Sequence, residues 1–119
     1  MSAEIISNNG GILTARISGR LTQPELAAIQ ASAKDSIRQQ GSVSFLIIAE
    51  DFHGWRETDD WSDVSFMEND PNIRKMAIVG EKQWEQLALI FAAKPVRKFP
   101  IEYFQPSELE QAQAWLAAE

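Results

Sequence analysis

The chain switches repeatedly between two spacings of hydrophobic residues, one of period two and one near 3.6. Leu13, Ala15 and Ile17 alternate with Thr14, Arg16 and Ser18, as in a strand with one buried and one wet face. Ala3 to Ser7 precedes this strand across Asn8-Asn9-Gly10-Gly11. Asn and Gly tolerate the positive φ angles of tight turns, so the two stretches predict a hairpin. Thr22-Gln23-Pro24-Glu25 then has the spacing of a capping box, in which hydroxyl and carboxylate satisfy each other's backbone N–H groups. Leu26, Ile29, Ala33 and Ile37 follow at steps of three and four, and Gly41 stands where a stop belongs. A helix is predicted over Gln23 to Gln39. Val43 to Ala49 is a nearly unbroken apolar run rich in branched residues, which reads as a central strand covered on both faces.

Glu50 to Asp70 holds eight carboxylates against one arginine, with Phe52, Trp55, Trp61 and Phe66 among them. It predicts a loop followed by a helix, capped by Thr58 or Asp59 and ended by Pro71-Asn72. Ile73 to Gly80, with Met76-Ala77-Ile78-Val79, is a further buried-type strand leading into Glu81 to Ala93. There Trp84, Leu87, Ala88 and Phe91 form a helical stripe, which Leu89 and Ile90 widen beyond a single face. Ile101 to Phe104 is a short last strand, and Pro106 opens a final helix with Leu109, Ala112 and Leu116 on one side. The order β-β-α-β-α-β-α-β-α predicts an α/β fold: one domain over residues 1–119, with a mixed, mostly parallel five-stranded sheet and four helices.

Composition narrows the chemistry. At 119 residues, 45% apolar and 24% charged, the chain suits one globular domain. No apolar run approaches the ~20 residues that span a bilayer, and Met1-Ser2-Ala3-Glu4 lacks the basic end of a signal peptide, so a cytoplasmic protein is expected. The absence of cysteine excludes disulfides, thiolate metal sites and a cysteine nucleophile. A net charge of −6 opposes general binding to phosphate backbones, so nucleic acid is not an expected partner. With His53 the only histidine, a His-rich metal site is impossible. Asp51, Glu57, Asp59, Asp60 and Asp63 do not follow the alternation of a calcium loop, and Gly80-Glu81-Lys82 lacks the spacing of a phosphate loop. Neither a metal nor a cofactor is expected.

Three strings carry a resemblance over essentially the whole chain: Glu50-Asp51-Phe52-His53-Gly54-Trp55 after the central strand, Met76-Ala77-Ile78-Val79-Gly80 before a tryptophan-bearing helix, and Tyr103-Phe104 ahead of a helix ending in Trp115-Leu116. With the order of elements, they make the chain similar to the SpoIIAA-like family of small bacterial proteins, whose fold is shared with STAS and lipid-binding CRAL-TRIO domains. The resemblance implies that fold and, for function, ligand binding and membrane association. One STAS branch, the anti-sigma-factor antagonists, uses a phosphorylatable serine in an Asp-Ser-Ser-Gly-like run. Here the region reads Glu57-Thr58-Asp59-Asp60-Trp61-Ser62, where a phosphate would meet carboxylates and be repelled.

Several residues carry two readings. Trp55 and Trp61, with Trp84 and Phe91, would wall a pocket for a small apolar or lipid-like ligand between the second and third helices and the sheet, or they are core. Lys94, Arg97 and Lys98, following the apolar third helix, would contact an anionic membrane, or they belong to a solvated loop. His53 beside Asp51 would act as acid or base, or it holds the loop; no nucleophile motif accompanies it. The expectation is a non-catalytic binding module with peripheral membrane contact. The alternative is a regulatory domain related to the anti-sigma-factor antagonists, contacting another protein or a second copy of itself through exposed apolar helix surface.

Overall fold

The computed structural model describes residues 3–9, 11–56, 58–60, 65–92 and 97–118, with the backbone alone at 9, 65, 67 and 91. Strands β1 (Ala3–Asn9), β2 (Ile12–Leu21), β3 (Val43–Trp55), β4 (Ile73–Val79) and β5 (Ile101–Phe104) form one five-stranded sheet in sequence order. β1 and β2 run antiparallel, and all later pairs are parallel. The helices α1 (Gln23–Gln40), α2 (Glu85–Phe91) and α3 (Leu109–Ala117) complete the fold.

When parallel strands are added always on the same side, right-handed crossovers place every connection on one face. The packing follows that rule. Ile29 and Ala33 of α1 and Phe66 of the β3–β4 connection share a core with Leu13, Ile17, Phe45 and Ile78 of the sheet, and Leu89 of α2 packs against it. The opposite face is covered by the terminal helix, whose Ala112 and Leu116 meet Leu46, Ala77 and Val79.

The start of α1 is built as its sequence dictates. Thr22 Oγ1 accepts from the Glu25 N–H, and Glu25 Oε1 accepts from the Thr22 N–H at 3.1 Å. Gly41 ends the helix with φ 87°, donating its N–H to the Ile37 carbonyl at 2.7 Å.

Two expectations are corrected. Glu50 to Trp55 is not a loop but the continuation of β3. The second of the four expected helices, ahead of Pro71, is absent among the described residues; Ser65–Asn72 is a 3₁₀ segment. Its sequence offers few reasons to be α-helical: Phe66 is its buried apolar anchor, and Asp70 is turned inward. The Asn69 side-chain amide donates to the Phe66 carbonyl at 3.1 Å, competing with the main chain, and Pro71 has no N–H for an α-type bond. The third predicted helix also begins late, as a 3₁₀ turn over Lys82–Trp84 before α2.

The continuation of β3 carries two irregularities that shape the site. Ile17 pairs with Ala49, Gly19 with Phe52 and Leu21 with Trp55, so each two-residue step on β2 is matched by three residues on β3. Each surplus residue is a bulge, and each bulge coincides with a left-handed backbone: Asp51 at φ 49° and Gly54 at φ 94°. Without the bulges, strict alternation would send Phe52 to the opposite face. With them, Phe52 and Trp55 both pack against the core beneath α1 and α2.

Candidate functional site

The re-aimed aromatics border a cavity of about 310 Å³ between the sheet and the layer of α1, the 3₁₀ segment and α2. Its floor is Ile17 and Leu21 of β2, Phe45 and Ile47 of β3, and Met76 and Ile78 of β4. Leu26 and Ile29 of α1, Phe66 and Ala88 wall it, and Phe52, Trp55, Trp84 and Tyr103 stand toward the carboxyl ends of the strands. Besides the Tyr103 hydroxyl and the tryptophan N–H groups, the polar side chains in the lining are Gln23, Gln30, Asp60 and Arg97. A small, mostly apolar hollow with few polar groups is the usual form of a site for an apolar ligand.

Trp84 is held from two sides. Its ring meets Phe52 edge-on at a centroid distance of 5.1 Å, a favourable aromatic geometry. Gly54 lies under the same ring, where a Cβ would stand 3.9 Å from the indole carbons. The buried indole N–H of Trp84 has no hydrogen-bond partner among the described residues.

Beyond Trp55 and Trp84 a second hollow opens, lined also by Arg20, His53, Gly54, Arg56, Thr58 and Leu87. The two tryptophans are walls common to both hollows. Arg56 donates from Nε to Asp59 Oδ1 at 2.7 Å, and Asp59 Oδ2 accepts from the Gln23 N–H at 2.8 Å. The hydrogen bond from Arg56, and then that from Gln23, hold the Asp59 carboxyl below its ordinary range. An ionised Asp59 thereby ties the segment after β3 to the amino end of α1.

Tyr103 closes the β5 side. Its hydroxyl donates to the Glu81 carbonyl at 2.7 Å, and its pKa is pushed up to about 12 by burial, with the Glu85 and Glu81 carboxylates adding to the effect.

Of the predicted pocket residues, Trp55 and Trp84 stand together at the cavity. Trp61 lies outside the described residues; Phe91 belongs to α2, with its side chain outside them. In the basic segment Lys94 also lies outside the described residues. Arg97 is turned inward: its guanidinium binds both carboxylate oxygens of Asp70, at 2.8–3.1 Å, and donates to the Ala92 carbonyl at 3.2 Å. Lys98 is exposed, its backbone N–H donating to Asp70 at 3.3 Å. His53 and Asp51 are both exposed and form no hydrogen bond with each other. Among the described residues no three His, Asp or Glu side chains gather as a metal site, and no helix is long and apolar enough to cross a membrane.

Arg20, Phe52 and Tyr103 reach the two hollows with little warning from sequence. Arg20 falls between the predicted strand, which ends at Ser18, and the capping box at Thr22, and Phe52 falls in the predicted acidic loop. Gly54 signals the bulge that re-aims Trp55, since a glycine within a strand pattern marks a bulge, whereas the bulge that re-aims Phe52 falls at Asp51, a residue that gives no such signal.

A family model described as SpoIIAA-like matches residues 12–117. Among solved structures, an uncharacterised protein with a SpoIIAA-like fold from Shewanella loihica PV-4 superposes with a TM-score of 0.71 at 16% identity, over 97% of this chain and 94% of that one. No curated protein matches the chain.

Proposed function

The chain belongs to the SpoIIAA-like family, and from that premise we propose that it is a non-catalytic binding module for a small apolar or amphipathic ligand. The observation that carries this reading is the cavity of about 310 Å³, bounded by α1, α2 and the sheet and mostly apolar in its lining. An unfilled apolar hollow forfeits dispersion contacts on every wall, so a sequence selected for stability alone tends to fill it. Trp55 and Trp84 serve as ligand walls, and the absence of a hydrogen bond between His53 and Asp51 leaves the acid-base reading without geometry. Native mass spectrometry and tryptophan emission with a medium-chain alcohol test the proposal. Wild type should give an adduct and a shifted emission, and Ala88→Trp, which fills the hollow, should lose both. An alcohol that binds the filled variant as well as wild type would sink this reading.

A second reading rests on a separate observation. Leu87 and Ile90 of α2 are 46% and 71% exposed, an apolar surface suited to contact with another protein or a second copy in a regulatory role. The membrane reading draws on the same two side chains and Lys98, but Arg97 is engaged with Asp70 rather than available to head groups. Light scattering and liposome sedimentation of wild type against Leu87→Ser/Ile90→Ser separate these. Loss of self-association supports the protein contact, and loss of binding to anionic vesicles supports the membrane.

A further inference from the structure

We propose that the ligand carries an anionic head, a carboxylate or phosphate on a single apolar chain, and that the head is received by Arg20 and His53 while the chain enters the apolar cavity between Trp55 and Trp84. This rests on the cavity reading above and adds the chemical class of what the cavity holds.

Placement is the first reason. β3 pairs with β4 only as far as Ile48 opposite Val79, so the stretch from Phe52 to Trp55 projects past the carboxyl end of its neighbour. Parallel sheets bind ligands in the crevice outside those ends. There the cationic hollow adjoins the apolar one, with Trp55 and Trp84 in common. The bulges of β3 and the irregularity at Gly19 (φ 62°) produce this division. Gly19 and Leu21 pair with the inward Phe52 and Trp55, which leaves Arg20 and His53 in the adjoining hollow.

Charge is the second reason. The chain carries 17 acidic and 11 basic residues, yet the described lining of this hollow holds Arg20, Arg56 and His53 and no carboxylate. Arg56 is already engaged by Asp59. Arg20 has no hydrogen bond or ion pair among the described residues, in contrast to Arg16 four positions earlier on β2, which pairs with Glu4. A guanidinium presents a planar fork that matches a carboxylate or phosphate through two parallel hydrogen bonds. Thr58 adds a hydroxyl to the same lining. The third reason is the orphan indole N–H of Trp84 in the dividing wall, a buried donor that a small shift would offer to an acceptor oxygen of the head.

The test compares ligands of one chain length below their micellar concentrations: dodecanoate, dodecyl phosphate, dodecanol and dodecyltrimethylammonium. Affinities are read by titration calorimetry on the full chain. Wild type should bind the two anions roughly ten- to a hundredfold more tightly than the alcohol, the range of charge-assisted hydrogen bonds, and the cation most weakly. Arg20→Gln should bring the anions to the level of the alcohol and leave the alcohol unchanged; Arg20→Glu should reverse the order of anion and cation. Arg20 is exposed, so both variants should fold, and unaltered α1 and sheet signals in circular dichroism check it. Equal affinity of wild type for alcohol and anions overturns the head-group site and leaves the cavity standing. No binding of any of the four overturns both.

Discussion

The hydroxyl of Tyr103 lies over Gly80, so close that a Cβ built on Gly80 would come within 2.6 Å of its oxygen. The glycine directly follows β4, and its N–H donates to the Phe104 carbonyl at 2.9 Å. Tyr103 reaches across it to the Glu81 carbonyl. Gly80→Ala should therefore destabilise the fold by about 1–3 kcal/mol, the range for overpacking. Tyr103→Phe removes the offending oxygen, leaving the ring carbon at 3.5 Å, an ordinary contact. In a double-mutant cycle by urea unfolding, Gly80→Ala should cost less in the Tyr103→Phe background than in wild type, with a coupling of about 0.5–3 kcal/mol. Additive effects would show that the two groups do not meet.

The same phenol gives a pH prediction. Burial first, then Glu85 and Glu81, raise its pKa from 10.0 to about 12, so the fold prefers the neutral form. Its contribution to stability is complete below pH 10 and is lost as pH rises from 10 toward 12. The chain has one tyrosine, so tyrosinate absorbance reports this group alone. The midpoint should lie near 12 in the folded protein and near 10 in urea, and Glu85→Gln should lower the folded value. A folded midpoint near 10 would show the ring to be solvated.

Much of the frame was legible because local chemistry and global fold agreed there. Thr22 and Glu25 announced the start of α1, Gly41 its end, and the run from Val43 to Ala49 the centre of the sheet. What was not legible depended on partners distant in sequence. The alternation of β3 does not stop at Ala49 but changes from steps of two to steps of three, a pattern no simple period describes. In sequence Asp70 is one of eight carboxylates in its stretch, and only Arg97, brought to it across 27 positions, sets it apart. Arg97 in turn looked like a membrane-facing cation because sequence shows its neighbours Lys94 and Lys98 but not its partner. Trp55 and Trp84 were legible as pocket candidates, whereas Arg20 was not, since its setting depends on bulges in another strand.

The Asp70–Arg97 pair makes a stability prediction with a defined asymmetry. The side chains are 2% and 11% exposed, and the guanidinium also stacks on Phe99 at 4.7 Å. Asp70→Ala leaves a largely buried cation without its counter-charge and should cost about 3–5 kcal/mol. The double variant Asp70→Ala/Arg97→Met removes the stranded charge and keeps most of the packing, so it should recover a large part of that loss. Urea midpoints of the two variants decide the matter, and a double variant no more stable than the single would argue against stranded charge as the cause.

The two bulges of β3 should respond very unequally to substitution. Gly54 sits at φ 94° with its would-be Cβ in ordinary contact with Trp84 at 3.9 Å, so the penalty for a side chain there is in the backbone, not in crowding. Gly54→Ala should cost about 1–3 kcal/mol and disturb Trp55 and Trp84, visible as a changed tryptophan emission and weaker alcohol binding. Asp51 has a side chain at φ 49°, a region that non-glycine residues enter at a cost. Asp51→Gly relieves that strain but frees the unfolded chain, two effects of about 1 kcal/mol that oppose each other. Stability should therefore change by well under 1 kcal/mol, with emission and binding retained. If Asp51→Gly proved as damaging as Gly54→Ala, the Asp51 side chain would have a role that backbone geometry does not supply, and the division of β3 into two bulges acting alike on the site would fail.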